Sequence, residues 1–184
     1  KMAAGESVES DIVELPLKRG QDYAVSLYLG DMTLLASGTK DTGPLCRAFF
    51  AEGNFAACSQ LDPFYTAPLN IFYFLTGVDA LCREDCHALV CFGDSITAQS
   101  WPDYLMLRVL RDGPENLSVI RRGIGGSRVL RSYQHLLIRH YGQKGADRFE
   151  REVAAAGADR VIVLHGVNDL IHPDGSLFRP WSDL

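Results

Sequence analysis

Ser95 stands near the end of the stretch Leu89 to Thr97 (LVCFGDSIT), an apolar run that stops abruptly at Gly93-Asp94-Ser95. The run reads as a buried β-strand that delivers a serine to the rim of a sheet. Open α/β sheets carry out their chemistry at that rim, in the crevice formed by the loops after the strands. A serine placed there is a candidate nucleophile, and it needs donors to hold the charge that develops on an attacked carbonyl oxygen. Two further strand ends offer them: Gly123-Ile124-Gly125-Gly126-Ser127 and Gly166-Val167-Asn168-Asp169. If the three strands are parallel, the three junctions lie side by side. Each junction bears glycine, so backbone N–H groups can approach a ligand closely. Together they suit acyl transfer, with Ser95 Oγ as nucleophile and the Ser95 N–H, the Gly126 N–H and the Asn168 side chain as donors. Asparagine fits the third role because its NH₂ is a neutral donor of fixed direction, which a carboxylate in its place would oppose.

These three blocks, in this order and on strand ends, resemble the SGNH, or GDSL, hydrolase superfamily. Gly93-Asp94-Ser95 matches the first block, the Gly126 turn the second, and Gly166-Val167-Asn168-Asp169 the third. The resemblance implies that Ser95 is the nucleophile and that its N–H, Gly126 and Asn168 form the oxyanion hole. It makes Gly93, Asp94, Gly166 and Asp169 supporting residues, with Asp94 ordering the turn and taking no part in proton transfer. The segments SITAQSWPDYL, RFEREV, HGVNDLIHPDGSLFRPWSDL and DYAVSLYL look similar to a bacterial branch that places a β-rich region before the hydrolase domain, so the likeness extends over nearly the whole chain. That branch implies a short-acyl esterase, often an acetylesterase acting on carbohydrate or small esters. A lysophospholipase or thioesterase of the same superfamily is the alternative. A non-catalytic carbohydrate-binding module with a vestigial hydrolase site is the alternative of another class.

Two departures from the family pattern stand out. The second block reads RRGIGG, where the commoner pattern has an Asn before the glycine turn, so support of that loop is expected to involve Arg121 or Arg122. The fourth block, an Asp-x-x-His that supplies the general base and its orienting carboxylate near the family's C-terminus, is read as missing. The chain is therefore expected to be a fragment, almost inactive alone, with Asp and His supplied by a further C-terminal segment of the same or a companion chain. Trp101, Arg128, His165 and His172 are the candidate substrate contacts. For His165, packing beside the oxyanion loop outweighs service as a substitute base, and Trp101 divides evenly between lining a pocket and starting a helix. His135 and His140 lie on a helix-like stretch and are expected at the surface.

The elements that must position these residues are legible as patterns. Residues 1–84 are rich in short alternating or apolar runs, Asp11 to Leu17, Asp22 to Leu29, Leu45 to Phe50 and Asn70 to Leu75, separated by turn residues, and suggest an incomplete β-sandwich. Residues 85–184 change rhythm. Apolar runs at Ala88 to Phe92, Leu117 to Ile120 and Arg160 to Leu164 read as buried parallel strands. They alternate with helix candidates at Pro102 to Arg111, Tyr133 to Tyr141 and Ala146 to Ala156. The expected fold is α/β: part of a flavodoxin-like three-layer SGNH domain, preceded by part of a β-sandwich-like region. About three parallel strands are fewer than such sheets usually have, which again suggests a fragment.

Composition bounds what else the chain can be. Of its 184 residues 47% are hydrophobic and 22% charged, enough apolar residue to bury a core and too much for disorder. A net charge of -5 argues against a nucleic-acid or anionic-membrane binder. No run is long and apolar enough for a membrane span, and the N-terminus shows no signal pattern. Five cysteines, an odd number, favour free thiols in a reducing compartment. The cytoplasm is the expected location, or secretion if a leader has been removed. Cys82, Cys86, His87 and Cys91 are too irregularly spaced for a zinc site, and Gly123-x-Gly125 lacks the third glycine of a dinucleotide fingerprint because position 128 is Arg. The site as read requires no metal and no cofactor, and the expected partner is a small-molecule or carbohydrate ester.

Overall fold

The computed structural model describes residues 6–30, 39–40, 43–60, 66–69, 71–132, 142–155 and 157–171. The expected helix over Tyr133 to Tyr141, His135, His140 and His172 lie outside them. At its centre is a three-stranded parallel sheet in which β5 (His87–Gly93) is flanked by β6 (Leu117–Gly123) and β7 (Arg160–Leu164). The mixed α/β architecture with a parallel sheet is the fold class expected of a partial SGNH domain. Each strand coincides with, or slightly extends, one of the three apolar runs, because such runs satisfy a strand that must bury side chains on both faces.

β5 is the strand that meets this demand. Val90, Cys91 and Phe92 are all buried, with Val90 and Phe92 packed on Val153, Ile120 and Ala158. Phe92 also meets Phe149 edge to face at 5.5 Å, a favoured aromatic geometry. Cys91 points to the opposite face by strand alternation, and burial pushes its thiol up to about 11, so it stays protonated at neutral pH. β7 differs from expectation. It is one of the sheet's two edge strands among the described residues, and its side chains are exposed throughout, Val163 by 56%.

Helix α1 (Trp101–Asp112) links β5 to β6 in a right place for its sequence signals. Ser100 precedes it, Pro102 occupies its first turn, Asp103 sits near its N-terminus and Arg111 in its last turn. Pro tolerates that first turn because the N–H it lacks has no helical partner there, and the charges complement the helix dipole. Between β6 and β7 lies α2 (Gly145–Phe149), which runs on as a π-helical turn over Glu150–Ala154. After β7 the short helix α3 (Val167–Ile171) carries the third block.

The N-terminal region is less regular than its alternation suggests. Two small antiparallel pairs form, β1 (Thr39–Lys40) with β4 (Ile71–Phe72) and β2 (Ala48–Ala51) with β3 (Thr66–Leu69). No strand forms over residues 6–30. Their alternating apolar side chains stay exposed, Ile12 by 97%. Alternation specifies two faces but not the neighbour that would cover one of them. This stretch is tied to the α/β part by Arg19, whose guanidinium donates to the carbonyls of Val109, Pro114 and Glu115 at 2.6, 3.3 and 2.9 Å. A cation at the C-terminal end of α1 is favourably placed against the helix dipole.

Candidate active site

Strand register brings the three junctions to one level. Gly93 pairs with Gly123 on one side and with Leu164 on the other. The residues that follow therefore leave the sheet together, and the Ile124 N–H donates back to the Gly93 carbonyl at 3.2 Å. At Gly93 itself a Cβ would lie 2.0 Å from the Leu164 carbonyl oxygen and 2.3 Å from Thr97 Oγ1. The missing side chain is what lets the Thr97 hydroxyl donate to the Leu164 carbonyl at 3.2 Å.

The first junction is a tight turn. Asp94 is buried, and its carboxylate accepts the Ile96 N–H at 2.9 Å while its carbonyl accepts the Ala98 N–H at the same distance. An aspartate used in this way mimics a backbone turn and fixes the loop around it. Ser95, between these bonds, is exposed, its residue turned to solvent at the carboxyl rim.

In the second junction Gly126 is buried with φ +70°, a conformation that side-chain-bearing residues rarely adopt. Ser127 beside it is fully buried and acts as a knot. Its Oγ donates to the Gln143 carbonyl at 2.6 Å, accepts from Arg148 Nη1 at 2.9 Å and lies 3.1 Å from His165 Nε2. A hydroxyl has a single proton, and here it goes to Gln143. His165 must then be the donor, as the Nε2–H tautomer assigned by this network.

The third junction is fastened to the second. Asn168 Nδ2 donates to the Ser127 carbonyl at 3.0 Å, and both oxygens of Asp169 accept the Val129 N–H, at 3.0 and 2.9 Å. One amide N–H of Asn168 is spent on this link, which orients the side chain and leaves the other N–H available to a ligand. Gly166 takes φ +117° in the bend between β7 and α3.

The candidate substrate contacts divide. Trp101 is half-buried at the first residue of α1, and its indole N–H is buried without a hydrogen-bond partner among the described residues. Arg128 is 1% exposed and donates to the Ser132 carbonyl at 2.6 Å, so its guanidinium lies inside the second loop. His165 is half-buried against Phe92, ring centroids 5.8 Å apart. Burial, and to a lesser degree the Arg148 charge, push its pKa down against the opposing pull of Asp94 and Asp169, which keeps the ring neutral near pH 7. Arg122 joins the support of the second loop through its carbonyl, which accepts from Arg148 Nη2 at 2.9 Å. Arg121 donates to the Gln99 carbonyl and faces Asp103, and the Arg122 guanidinium reaches the Thr76 carbonyl. The spacing Asp-x-x-His does occur in the chain, at Asp169 and His172, overlapping the third block. Among the described residues no group of three or more His, Cys, Asp or Glu side chains is gathered for a metal ion.

Sequence reasoning passed over Ser127 and Arg148. Arg148 is fully buried, ion-paired to Glu152 at 2.9 Å, with its Cζ 4.8 Å above the centre of the Phe92 ring. Burial opposes ionisation of Glu152, but hydrogen bonds and charge from Arg148 and Arg151 outweigh it and hold the carboxyl below its usual range. The one available signal was the i, i+4 spacing of Arg148 and Glu152, which is equally common on solvated helix faces.

An exposed serine at the carboxyl rim of a parallel sheet, between a glycine turn and an asparagine amide, suits acyl transfer, and the class of protein it defines is the α/β ester hydrolases. The family model described as GDSL-like lipase/acylhydrolase matches residues 91–178, and this match supports membership of the SGNH/GDSL hydrolase superfamily. The match spans all three junctions, with α1 and α2 between them. No curated protein matches the chain.

Proposed function

We propose that the protein is a serine-dependent carboxylic ester hydrolase that removes short acyl groups, acetyl foremost, from carbohydrate or small-molecule esters. The observation that carries the serine mechanism is the level register of Gly93, Gly123 and Leu164, which sets the Ser95, Gly126 and Asn168 loops side by side. Ser95 Oγ attacks the acyl carbonyl, and its proton passes to a general base. The oxyanion accepts from the Ser95 N–H, the Gly126 N–H and Asn168 Nδ2. The alcohol leaves with a proton, and water then attacks the acyl-serine to release the acid. His165 is not the base in this scheme: its Nε2–H is given to Ser127, and its basic Nδ1 is buried and makes no hydrogen bond to Ser95. The base is a histidine of the Asp-x-x-His type from outside the described residues. The short-acyl preference is supported by the resemblance to the branch with a β-rich region ahead of the hydrolase domain.

A series of p-nitrophenyl esters from acetate to palmitate tests both halves. Activity should peak at acetate and fall with chain length, and a peak at long chains would assign a lysophospholipase-like or thioesterase-like preference instead. Ser95→Ala should lower kcat by at least about 10⁴-fold, and a fluorophosphonate probe should label wild type at Ser95 and nowhere else. A folded wild-type protein in which Ser95 takes no label would turn the reading towards a binding module.

A further inference from the structure

Resting on the serine-hydrolase reading above, we infer that Arg148 is a positioning residue that holds the oxyanion-hole donors in place from behind the sheet rim. Its guanidinium carries five N–H groups in a rigid plane, and every one is used. Nη1 donates to Ser127 Oγ at 2.9 Å and to the Gly93 carbonyl at 3.4 Å. Nη2 donates to the Arg122 carbonyl and to Glu152 Oε2, both at 2.9 Å, and Nε to the two Glu152 oxygens at 3.2 and 3.1 Å. Two of these acceptors are the backbone at the ends of β5 and β6, two residues before Ser95 and four before Gly126. The third, Ser127, directly follows Gly126, and its carbonyl orients the Asn168 amide. One planar group thus touches the supports of all three donors and none of the reacting atoms.

The chemistry of the arrangement favours positioning over plain stability. A buried ion pair contributes little net stability, since desolvation offsets most of the attraction. The Arg148 guanidinium instead ties the paired ends of β5 and β6 to Ser127, which lies in the loop beyond the strand pairing. The Phe92 ring beneath it and the Glu152 carboxylate behind it hold the plane in one orientation. The second loop, which lacks the family's usual Asn, is supported here by α2 through this side chain.

Arg148→Lys keeps the charge but loses the fork, and Arg148→Met keeps much of the volume and loses the charge. Glu152→Gln leaves the arginine in place with a weaker anchor. With p-nitrophenyl acetate as substrate and the full-length protein, including the segment that supplies the base, as the enzyme, Arg148→Lys should lower kcat on the order of 10²-fold, the scale of losing one oxyanion donor, with KM within about twofold. Glu152→Gln should fall between it and wild type. In ¹⁵N-resolved spectra of the folded Arg148→Lys protein the Ser95 and Gly126 amides and the Asn168 side-chain NH₂ should shift together. A folded Arg148→Lys or Arg148→Met protein with wild-type kcat, or with those three signals unmoved, would overturn the inference. If wild type hydrolyses no aryl ester, the hydrolase reading fails on that arm alone, and the spectra still decide whether Arg148 positions the three groups.

Discussion

At the scale of the residue, Asn168 separates donation from mere packing. One of its amide protons is bound to the Ser127 carbonyl, and the other is available for an oxyanion. In Asn168→Asp a carboxylate would face the Ser127 carbonyl and oppose negative charge on the substrate oxygen. We expect kcat for p-nitrophenyl acetate to fall about 10²- to 10³-fold, as when an oxyanion-hole donor is removed, while Ser95 keeps its place in the turn set by Asp94. Retention of wild-type kcat by a folded Asn168→Asp protein would remove Asn168 from the mechanism. Ser127 shows what residue types alone withhold. As one of several serines near glycine it carries no signal, and its importance lies in four hydrogen-bond partners brought from Gln143, Arg148, His165 and Asn168.

At the scale of the element, the strands were the most readable part of the chain. Runs such as ALVCF and RVIVL are short, apolar and rich in β-branched residues, and they map onto β5 and β7 within a residue or two. α1 was readable from Pro102 and its amphipathic pattern. The RFEREV stretch was not, in the sense that matters: it falls within the helix candidate Ala146 to Ala156, but nothing in that pattern marks Arg148 as wholly buried. Burial of a charge depends on partners far off in sequence, and no local period records them. The alternation over residues 6–30 misled in the opposite direction, since no covering strand is present among the described residues. The β5 end itself makes a prediction. Gly93→Ala would set a methyl 2.0 Å from the Leu164 carbonyl oxygen and 2.3 Å from Thr97 Oγ1. Backbone cannot yield as a side-chain tip can, so urea unfolding should show a loss of about 3 kcal/mol, the upper range for overpacking. A loss under about 0.5 kcal/mol would mean that β5 and β7 are not held as closely as the structure has them.

At the scale of the whole molecule, the buried polar cluster makes stability depend on acid. His165 titrates below its ordinary 6.5, with burial as the leading cause, so the unfolded chain binds its proton more readily than the folded one. Its contribution is complete above pH 6.5 and is lost as pH falls through the lower folded value. Glu152 follows the same sign further down: its contribution is complete above the ordinary 4.5 and is lost as pH falls through its depressed value. The urea midpoint should therefore decline in two stages on acidification, the first beginning near pH 6.5. His165→Gln should flatten that first stage and spare the second. An unchanged first stage in the folded variant would exclude His165 as its source.

The level register of the sheet rim also acts as a ruler. Neighbouring strands lie about 4.8 Å apart, so three donors standing straight above β6, β5 and β7 would spread over nearly 10 Å, whereas a single oxygen is served only within about 3 Å. For the proposed donors to share one oxygen, the flanking loops must lean inward over the central strand. Gly126, at φ +70°, and Gly166, at φ +117°, are the backbone positions free to turn each loop that way. On the proposed mechanism, lengthening either loop by one residue should leave every strand intact and still carry its donor out of reach of an oxyanion formed at Ser95.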